Sequence, residues 1–384
     1  MSPPGTRQRL VVGAMTGTSI DGIDVIVARI DGWGLGIRAE LIKHLGRGLG
    51  PLADDLRRAA QQAPMSAGQF ARLSLALGEL HASAIAELLE PKQAVDLVTV
   101  HGQTIIHQPP ISWQLIDPMP IAREFGCPVI YDLRQADLAA GGQGAPITPI
   151  ADWILFRQAE RTRAIVNLGG FCNVTIIPRD GAPNAVAHIE GFDVCACNHV
   201  LDAVAREALG EPFDEGGRAA LAGQPQPPIA DELANLLAKQ AKSSRSLGTS
   251  DELVSWVVSQ RERAAPQDLA ASVVDGIASC IAQRLNTSAV DEVILAGGGA
   301  LNEALVKAIA AASDIPVTTS DNFGIPPTAR EALAIAVLGV LCADGIPITL
   351  PQVTGCTEPA PLAGRWCLPG NGGMPAGRTS EQNR

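Results

Sequence analysis

The sequence predicts an α/β protein of two lobes built on the same plan. Apolar runs at 10–15 and 23–30 flank a turn rich in Gly, Ser and Thr that ends in Asp21-Gly22, a hairpin pattern because glycine tolerates positive φ. The same succession of strand, glycine-rich turn and strand recurs at 164–177. We therefore expect each lobe to begin with such a hairpin. Two unrelated hairpins in one mixed sheet would leave the same pattern.

Helices and further strands alternate between and after these hairpins. Helical periodicity is predicted at 51–63, 67–90, 200–209 and 268–285, and short apolar runs predict strands at 96–100, 129–131 and 292–296. The longest apolar run, 332–343, is too short to cross a membrane and predicts a buried helix.

Composition excludes several classes of protein. The chain of 384 residues is 46% hydrophobic and 18% charged, which is typical of a globular protein long enough for two domains. Its formal net charge of -11 argues against nucleic acid as a partner, because phosphate backbones require clustered Lys and Arg. The apolar run behind the polar start is too short for a signal peptide, so we expect a cytoplasmic protein without a membrane partner.

The eight cysteines are scattered and include no Cys-x-x-Cys pair. Disulfide scaffolds are short and dense in cysteine, so these residues are expected to be reduced thiols in the core.

The turn of the first hairpin offers backbone N–H groups and hydroxyls that suit an anion. Asp21 and Asp24 would then stand beside a phosphate, where a magnesium ion is expected. The alternative is a surface hairpin whose turn is merely polar.

Polar residues also follow two predicted strands of the first lobe, where α/β sheets place ligands. His101 and Gln103 follow the strand at 96–100, and a histidine bonded within the core is the alternative for His101. Arg134 follows the strand at 129–131 and precedes a glycine-dense loop at 139–146. Its planar guanidinium suits a carboxylate or phosphate, but it could also form a salt bridge with Asp132 or Asp137.

Asp193 is expected at a junction between a strand and the helix 200–209, where helix N–H groups favour an ionised carboxylate. Such a carboxylate can act as a general base. Asp193, Cys195, Cys197 and His199 also carry metal-ligand atoms, although their spacing matches no structural zinc pattern.

Later in the chain, the glycines at 297–299 join a strand to a helix and would let a nucleotide lie against bare backbone. Glu331 opens the apolar helix, where the helix dipole by itself favours an acidic residue. The polar run 242–250 is expected to be a connecting loop, and the Gly- and Ser-rich end after Gly370 to be disordered.

Taken in order, these motifs resemble the anhydro-N-acetylmuramic acid kinase family, within the actin, sugar-kinase and heat-shock ATPase superfamily. The matching blocks run from about Leu10 to Pro369. They are 15–24, 101–104, 132–146, Asn167-Leu168-Gly169-Gly170-Phe171, 297–302, 324–331 and Val353-Thr354-Gly355.

The resemblance implies a two-lobed actin-like ATPase with ribonuclease-H-like domains and a nucleotide cleft between the lobes. The lobes would be 1–160 and 161–350, followed by a closing segment 351–369 and a tail 370–384. Family members use ATP and Mg²⁺ and form homodimers. They open the anhydro bridge of a sugar and phosphorylate the freed hydroxyl.

The resemblance also implies roles for individual residues. Asp193 would be the base that activates water, Asp21 would hold Mg²⁺, and His101, Gln103, Arg134 and Glu331 would hold the sugar. ATP and its phosphates would be bound by Gly17, Thr18, Ser19, Asp21, Gly22, Asp24, Asn167, Gly169, Gly170, Gly297, Gly298, Gly299 and Asn302.

Two blocks depart from the family. Lys242-Ser243-Ser244 is followed by Arg245-Ser246 where the family continues with Gly-Arg, and the other departure surrounds Asp193. The family's Phe-Asp-x-Gly-Pro-Gly-Asn is replaced by Phe192-Asp193-Val194-Cys195-Ala196-Cys197-Asn198, so side chains are expected where bare backbone would approach a ligand. The leading hypothesis is an anhydro-N-acetylmuramic acid kinase. The alternatives are a kinase of another anhydrosugar such as levoglucosan, and a non-catalytic nucleotide-binding regulator.

Overall fold

A computed structural model describes residues 7–242 and 250–370, which form two compact units. The first unit contains the described residues up to Leu155 together with those from Glu331 onward, and the second contains those from Phe156 to Arg330. The segments 331–350 and 351–369 thus pack with the first unit, whereas the boundaries drawn from the sequence place 331–350 in the second lobe. Most of the loop predicted at 242–250 and all but the first residue of the predicted tail lie outside the described residues.

The described strands and helices are numbered in chain order. The strands are β1 (Gln8–Thr16), β2 (Gly22–Asp31), β3 (Arg38–Gly48), β4 (Leu97–His101), β5 (Gln103–Gln108), β6 (Ile111–Leu115), β7 (Val129–Tyr131), β8 (Arg163–Leu168), β9 (Phe171–Ile177), β10 (Glu190–Ala196), β11 (Glu292–Ala296), β12 (Val317–Thr319) and β13 (Arg365–Cys367). The α-helices are α1 (Leu52–Ala60), α2 (Ala67–Leu88), α3 (Met119–Phe125), α4 (Gln135–Ala139), α5 (Pro149–Phe156), α6 (Asn198–Val204), α7 (Arg218–Ala222), α8 (Pro227–Lys242), α9 (Ser250–Gln260), α10 (Pro266–Asn286), α11 (Glu303–Ala312), α12 (Arg330–Ala343) and α13 (Pro351–Thr354).

The main sheet of the first unit has the strand order β3-β2-β1-β4-β7-β13. Strands β1, β2 and β3 run antiparallel in succession, which confirms the first predicted hairpin. On the other side of β1, strands β4 and β7 run parallel to it, and β13 closes the edge antiparallel to β7. Strands β5 and β6 form a separate hairpin.

The sheet of the second unit has the order β10-β9-β8-β11-β12. Strands β8, β9 and β10 are antiparallel, and β11 and β12 run parallel to β8. Both sheets thus contain three antiparallel strands followed by two parallel ones, in the spatial order 3-2-1-4-5 of a ribonuclease-H-like sheet. The prediction of an α/β protein with two ribonuclease-H-like domains of the same plan is confirmed.

Helix α12 forms the interior of the first unit, as its apolar sequence predicts. Residues 332–342 are all buried, which fits a helix that is hydrophobic on every side. A side chain at Gly13 of β1 would overlap the backbone oxygen of Ala332, and one at Gly339 would overlap Thr99 of β4. Strands and helix therefore approach closely because glycine stands at both points of contact.

The core of the second unit lies between the sheet and helix α10. This helix contacts α8, α11 and β10, and 13 of its residues are buried. The helix predicted at 200–209 begins two residues earlier, at Asn198, and its last turn, Ala205–Leu209, is π-helical. Among the helices that the structure describes, none is both long and apolar enough to span a bilayer.

Replacing Gly13 with Ala is expected to lower the free energy of unfolding by about 1–3 kcal/mol, the usual cost of overpacking a filled core. Urea denaturation followed by circular dichroism measures the change. Gly48→Ala is the matched control, because a Cβ at Gly48 meets nothing within 4 Å. Equal stability of the two variants would contradict the packing of β1 on α12.

Candidate active site

The turn of the first hairpin is anchored by one apolar residue and exposes its polar ones. Ile20 is buried with φ of 55°, its N–H donates to the oxygen of Gly17 (3.3 Å), and its own oxygen accepts from Arg57 Nη2 (3.2 Å). The side chains of Thr18, Ser19 and Asp21 are exposed as a result. The turn can therefore present two hydroxyls and a carboxylate to a ligand.

The two acids of this hairpin have different surroundings. Asp24 lies within β2, and its Oδ1 is 3.2 Å from Nε2 of His44 on β3. Asp21 lies in the exposed turn. No group of three or more metal-ligating side chains occurs in the described part of the chain. A single exposed carboxylate nevertheless fits Mg²⁺, which binds one or two carboxylates and completes its shell with phosphate oxygens and water.

The turn of the second hairpin is fixed against the start of α6. The N–H groups of Cys197 and Asn198 donate to the oxygens of Gly170 and Gly169 (2.9 and 3.0 Å). The side chain of Asn198 donates to the oxygen of Leu168 (3.3 Å). These bonds hold the helix start and the glycine turn together, so the two sequence blocks form one surface.

The glycines that follow β11 lie against the same turn. A Cβ at Gly297, where φ is 85°, would approach Asn167 Oδ1 to 2.7 Å, and one at Gly299 would approach Asn198 Oδ1 to 2.8 Å. Asn167 is buried, and its Oδ1 accepts no hydrogen bond from the described residues. The structure thus brings together the predicted residues Asn167, Gly169, Gly170 and 297–299.

Asn302 has a structural role in addition to any predicted one. Its Oδ1 accepts from the N–H of Leu305 (3.0 Å) and caps the N-terminus of α11. This bond uses one of the two acceptor positions of the amide oxygen.

Asp193 lies inside strand β10, and the predicted strand-to-helix junction is wrong for this residue. It pairs with Asn173 of β9, and α6 begins only at Asn198. The β10–β9 register shifts between Asp193 and Cys195, and such a bulge turns side chains in a new direction. Asp193 is exposed in this irregular stretch of β10, so it does not lie at the helix start that the sequence predicts.

The cysteines that replace the family's glycines do not project towards a ligand, because their side chains lie in the core of the second unit. Cys195 and Cys197 are 0% exposed and belong to the core cluster that also contains Cys172 and Cys280. Burial raises the pKa of Cys197 to about 12 and raises that of Cys195 well above its usual range, through a hydrogen bond with Cys172 and burial. These residues are protonated thiols that pack, and all eight cysteines of the chain are free and buried, as the sequence predicts.

Arg134 of the first unit is held from two sides. Its Nη1 donates to the oxygen of Gly144 (2.7 Å) in the glycine-dense loop, and its Nη2 donates to Nε2 of His101 (3.3 Å). Burial and the nearby charges of Arg134 and His107 keep the pKa of His101 well below its usual range. The neutral ring can therefore accept from the guanidinium, which fixes the proton on Nδ1.

Two polar atoms where β4 is followed by β5 are buried without a partner among residues 7–242 and 250–370. They are Nδ1 of His101 and Oε1 of Gln103, whose Nε2 donates to the oxygen of Thr104 (3.3 Å). Buried polar atoms are normally bonded, so these two suit a ligand or an ordered water. Glu331 stands in the first turn of α12 and is half-buried.

Sequence reasoning missed a group on hairpin β5–β6. Gln114 Nε2 donates to Ser112 Oγ (2.9 Å), which lies 2.9 Å from Nδ1 of His107. The His107 ring also bonds the backbone of Gln143, so the hairpin supports the glycine-dense loop. The alternation of Ser112 and Gln114 with apolar neighbours is a signal that could have found them.

Cys197→Gly, which restores the family's glycine, is expected to lower the free energy of unfolding by about 2 kcal/mol, because a buried side chain is lost and the unfolded chain gains freedom. Cys197→Ala should cost less, since only the sulfur is removed. Urea denaturation checks both values. A glycine variant as stable as the parent would argue that the thiol does not pack in the core.

Stability is expected to fall as the pH drops below about 6.5, partly through His101. The folded ring stays neutral while the unfolded ring takes up a proton near pH 6.5, so acid favours the unfolded chain. His101→Gln should reduce the decline between pH 6.5 and 5.5 by about 1 kcal/mol, measured by urea denaturation at both pH values. A decline as steep in the glutamine variant as in the parent would contradict a buried, neutral ring at position 101.

Comparison with known proteins identifies the family of this chain. The family model described as anhydro-N-acetylmuramic acid kinase matches residues 9–366, which include both units. Proteins of that name from Salinibacter ruber and Chromohalobacter salexigens are each 35% identical; the alignments cover 94% and 92% of this chain and 97% and 98% of theirs. A solved activator of 2-hydroxyisocaproyl-CoA dehydratase from Clostridium difficile aligns with 86% of this chain and 94% of its own at 16% identity and a TM-score of 0.43, a similarity that identifies no function. This chain belongs to the anhydro-N-acetylmuramic acid kinase family.

Proposed function

We propose that this chain is an ATP-dependent kinase that hydrolyses the 1,6-anhydro bridge of anhydro-N-acetylmuramic acid and forms N-acetylmuramic acid 6-phosphate, in cell-wall recycling. The observation that carries the proposal is the family match over residues 9–366 together with the exposed carboxylate of Asp193 in the family's Gly-Phe-Asp block.

The chemistry requires one base and a site that positions a phosphoryl group. Asp193 takes a proton from water, the water oxygen bonds the anomeric carbon, and the bond from that carbon to the bridge oxygen breaks. The freed oxygen at C6 takes the γ-phosphoryl group, and ADP leaves. An exposed carboxylate on a strand suits the first step, and phosphoryl transfer needs mainly positioning and charge neutralisation.

The nucleotide would be bound by the two glycine turns. The first turn offers the exposed Thr18, Ser19 and Asp21, and the second offers the bare backbone of Gly169 and Gly170 beside Gly297–Gly299. Asp21 would hold Mg²⁺, which neutralises phosphate charge when bound.

The sugar would be bound in the first unit. Arg134 supplies a planar cation whose position is fixed by Gly144 and His101, and His101 and Gln103 supply the buried polar atoms that lack described partners. Glu331 would complete this group. A guanidinium held in place suits the carboxylate of a lactyl substituent, which favours anhydro-N-acetylmuramic acid over levoglucosan.

The assignment of a cytoplasmic homodimer belongs to the same proposal and is supported by the family resemblance. Size-exclusion chromatography with light scattering measures the oligomeric state.

A coupled assay of ADP release tests the function. The protein is incubated with ATP, Mg²⁺ and either anhydro-N-acetylmuramic acid or levoglucosan. Sugar-dependent ADP with the first sugar is expected. ADP with levoglucosan alone would assign the other anhydrosugar, and ATP binding without ADP release would indicate a regulator.

Asp193→Asn is expected to lower kcat by roughly a hundred- to ten-thousand-fold, the usual contribution of a general base, while the Kd for ATP stays the same. Glu190→Gln is the matched control, because Glu190 is an exposed carboxylate on the same strand. Undiminished turnover of the asparagine variant would refute the role of Asp193.

A further inference from the structure

Asp137 is a buried carboxylate of helix α4, just before the glycine-dense loop. It is 1% exposed, and its Oδ2 accepts from the N–H of Gly144 (2.7 Å). Its backbone oxygen accepts from the N–H of Gly142 (2.8 Å), where a side chain would overlap the carboxylate. The loop is thus wound around this single acid.

The second oxygen of Asp137 is bound by a residue 217 positions away in sequence. Thr354, also 1% exposed, donates its hydroxyl to Oδ1 (2.7 Å), and its backbone oxygen accepts from the N–H of Gln143 (2.8 Å). Thr354 ends the short helix α13 and belongs to the Val353-Thr354-Gly355 block, which the chemistry above leaves without a role. The C-terminal segment therefore holds the loop by two bonds.

The same loop determines where Arg134 lies. Gly144 donates its N–H to Asp137 and accepts at its oxygen from Arg134 Nη1 (2.7 Å). One continuous series of hydrogen bonds thus runs from Thr354 through Asp137 and Gly144 to Arg134. Because these bonds involve a buried carboxylate, removing one donor is costly and the loop must shift.

We infer that Thr354 and Asp137 are positioning residues that fix the guanidinium of Arg134 for the sugar. The inference rests on the proposed function for the contact between Arg134 and the sugar. The C-terminal segment would then control the affinity for the sugar without contacting either substrate.

Steady-state kinetics of Thr354→Val test this role. The variant keeps the shape of the side chain and loses the hydroxyl, so the KM for the anhydrosugar should rise about tenfold while the KM for ATP stays within twofold. Thr354→Ser should restore the parent KM. Thr357→Val is the matched control, since Thr357 bonds the oxygen of Ala140 through both its hydroxyl and its backbone N–H.

Amide hydrogen exchange at 142–144, measured without any sugar, separates this inference from the proposed function. Thr354→Val should speed exchange at these residues at least tenfold, and Thr357→Val should not. If the parent protein shows no sugar-dependent turnover, the proposed function fails while the exchange result still tests the link to Asp137.

Two outcomes would overturn the inference. One is parent-like exchange in Thr354→Val, and the other is faster exchange with an unchanged KM for the sugar. If the valine variant does not fold, Asp137→Asn is tested in its place. The side-chain amide has only one atom that accepts hydrogen bonds, its oxygen, so it cannot replace both carboxylate oxygens. The same rise in KM is expected for that variant, and an unchanged KM would refute the role.

Discussion

The parallel pairing of β1 with β4, and of β8 with β11, is the constraint on which the arrangement of the candidate residues within each unit depends. The register sets Met15 beside His101 in the first unit and Asn167 beside Ala296 in the second. Parallel strands end at the same edge of a sheet, so each glycine turn of a hairpin lies next to the residues that follow the neighbouring strand. In the second unit this places the turn at 169–170 against the glycines at 297–299. Without that register the motifs would be separate loops.

Local patterns in the sequence were enough to predict the class of fold and both hairpins, because the Asp-Gly pair and the glycine-rich turns encode their own geometry. The position of Asp193 could not be predicted in this way. A bulge in β10 depends on how that strand pairs with β9, and pairing is not encoded in the strand alone. For the same reason the partnership of Asp137 with Thr354 joins residues that no local window contains. Candidate residues can be recognised from a sequence, whereas the bonds that orient them are set by the tertiary structure.

The cysteines of β10 and of the turn after it show that a family motif can change without placing the new side chains on the surface. Cys195 and Cys197 stand where the family has glycine, yet their thiols are buried with Cys172 and Cys280. The backbone N–H of Cys197 still bonds the oxygen of Gly170. A small apolar side chain directed inward is compatible with this backbone hydrogen bond.

The chain returns from the second unit to the first at Arg330–Glu331, and this has a consequence for folding during translation. The second unit consists of a continuous stretch of chain, whereas the first needs α12, which lies on β1 and is synthesised more than 300 residues after it. During translation the second unit can thus fold completely while the first still exposes apolar strand surface on the ribosome. The lobe that begins the chain is the last to be finished.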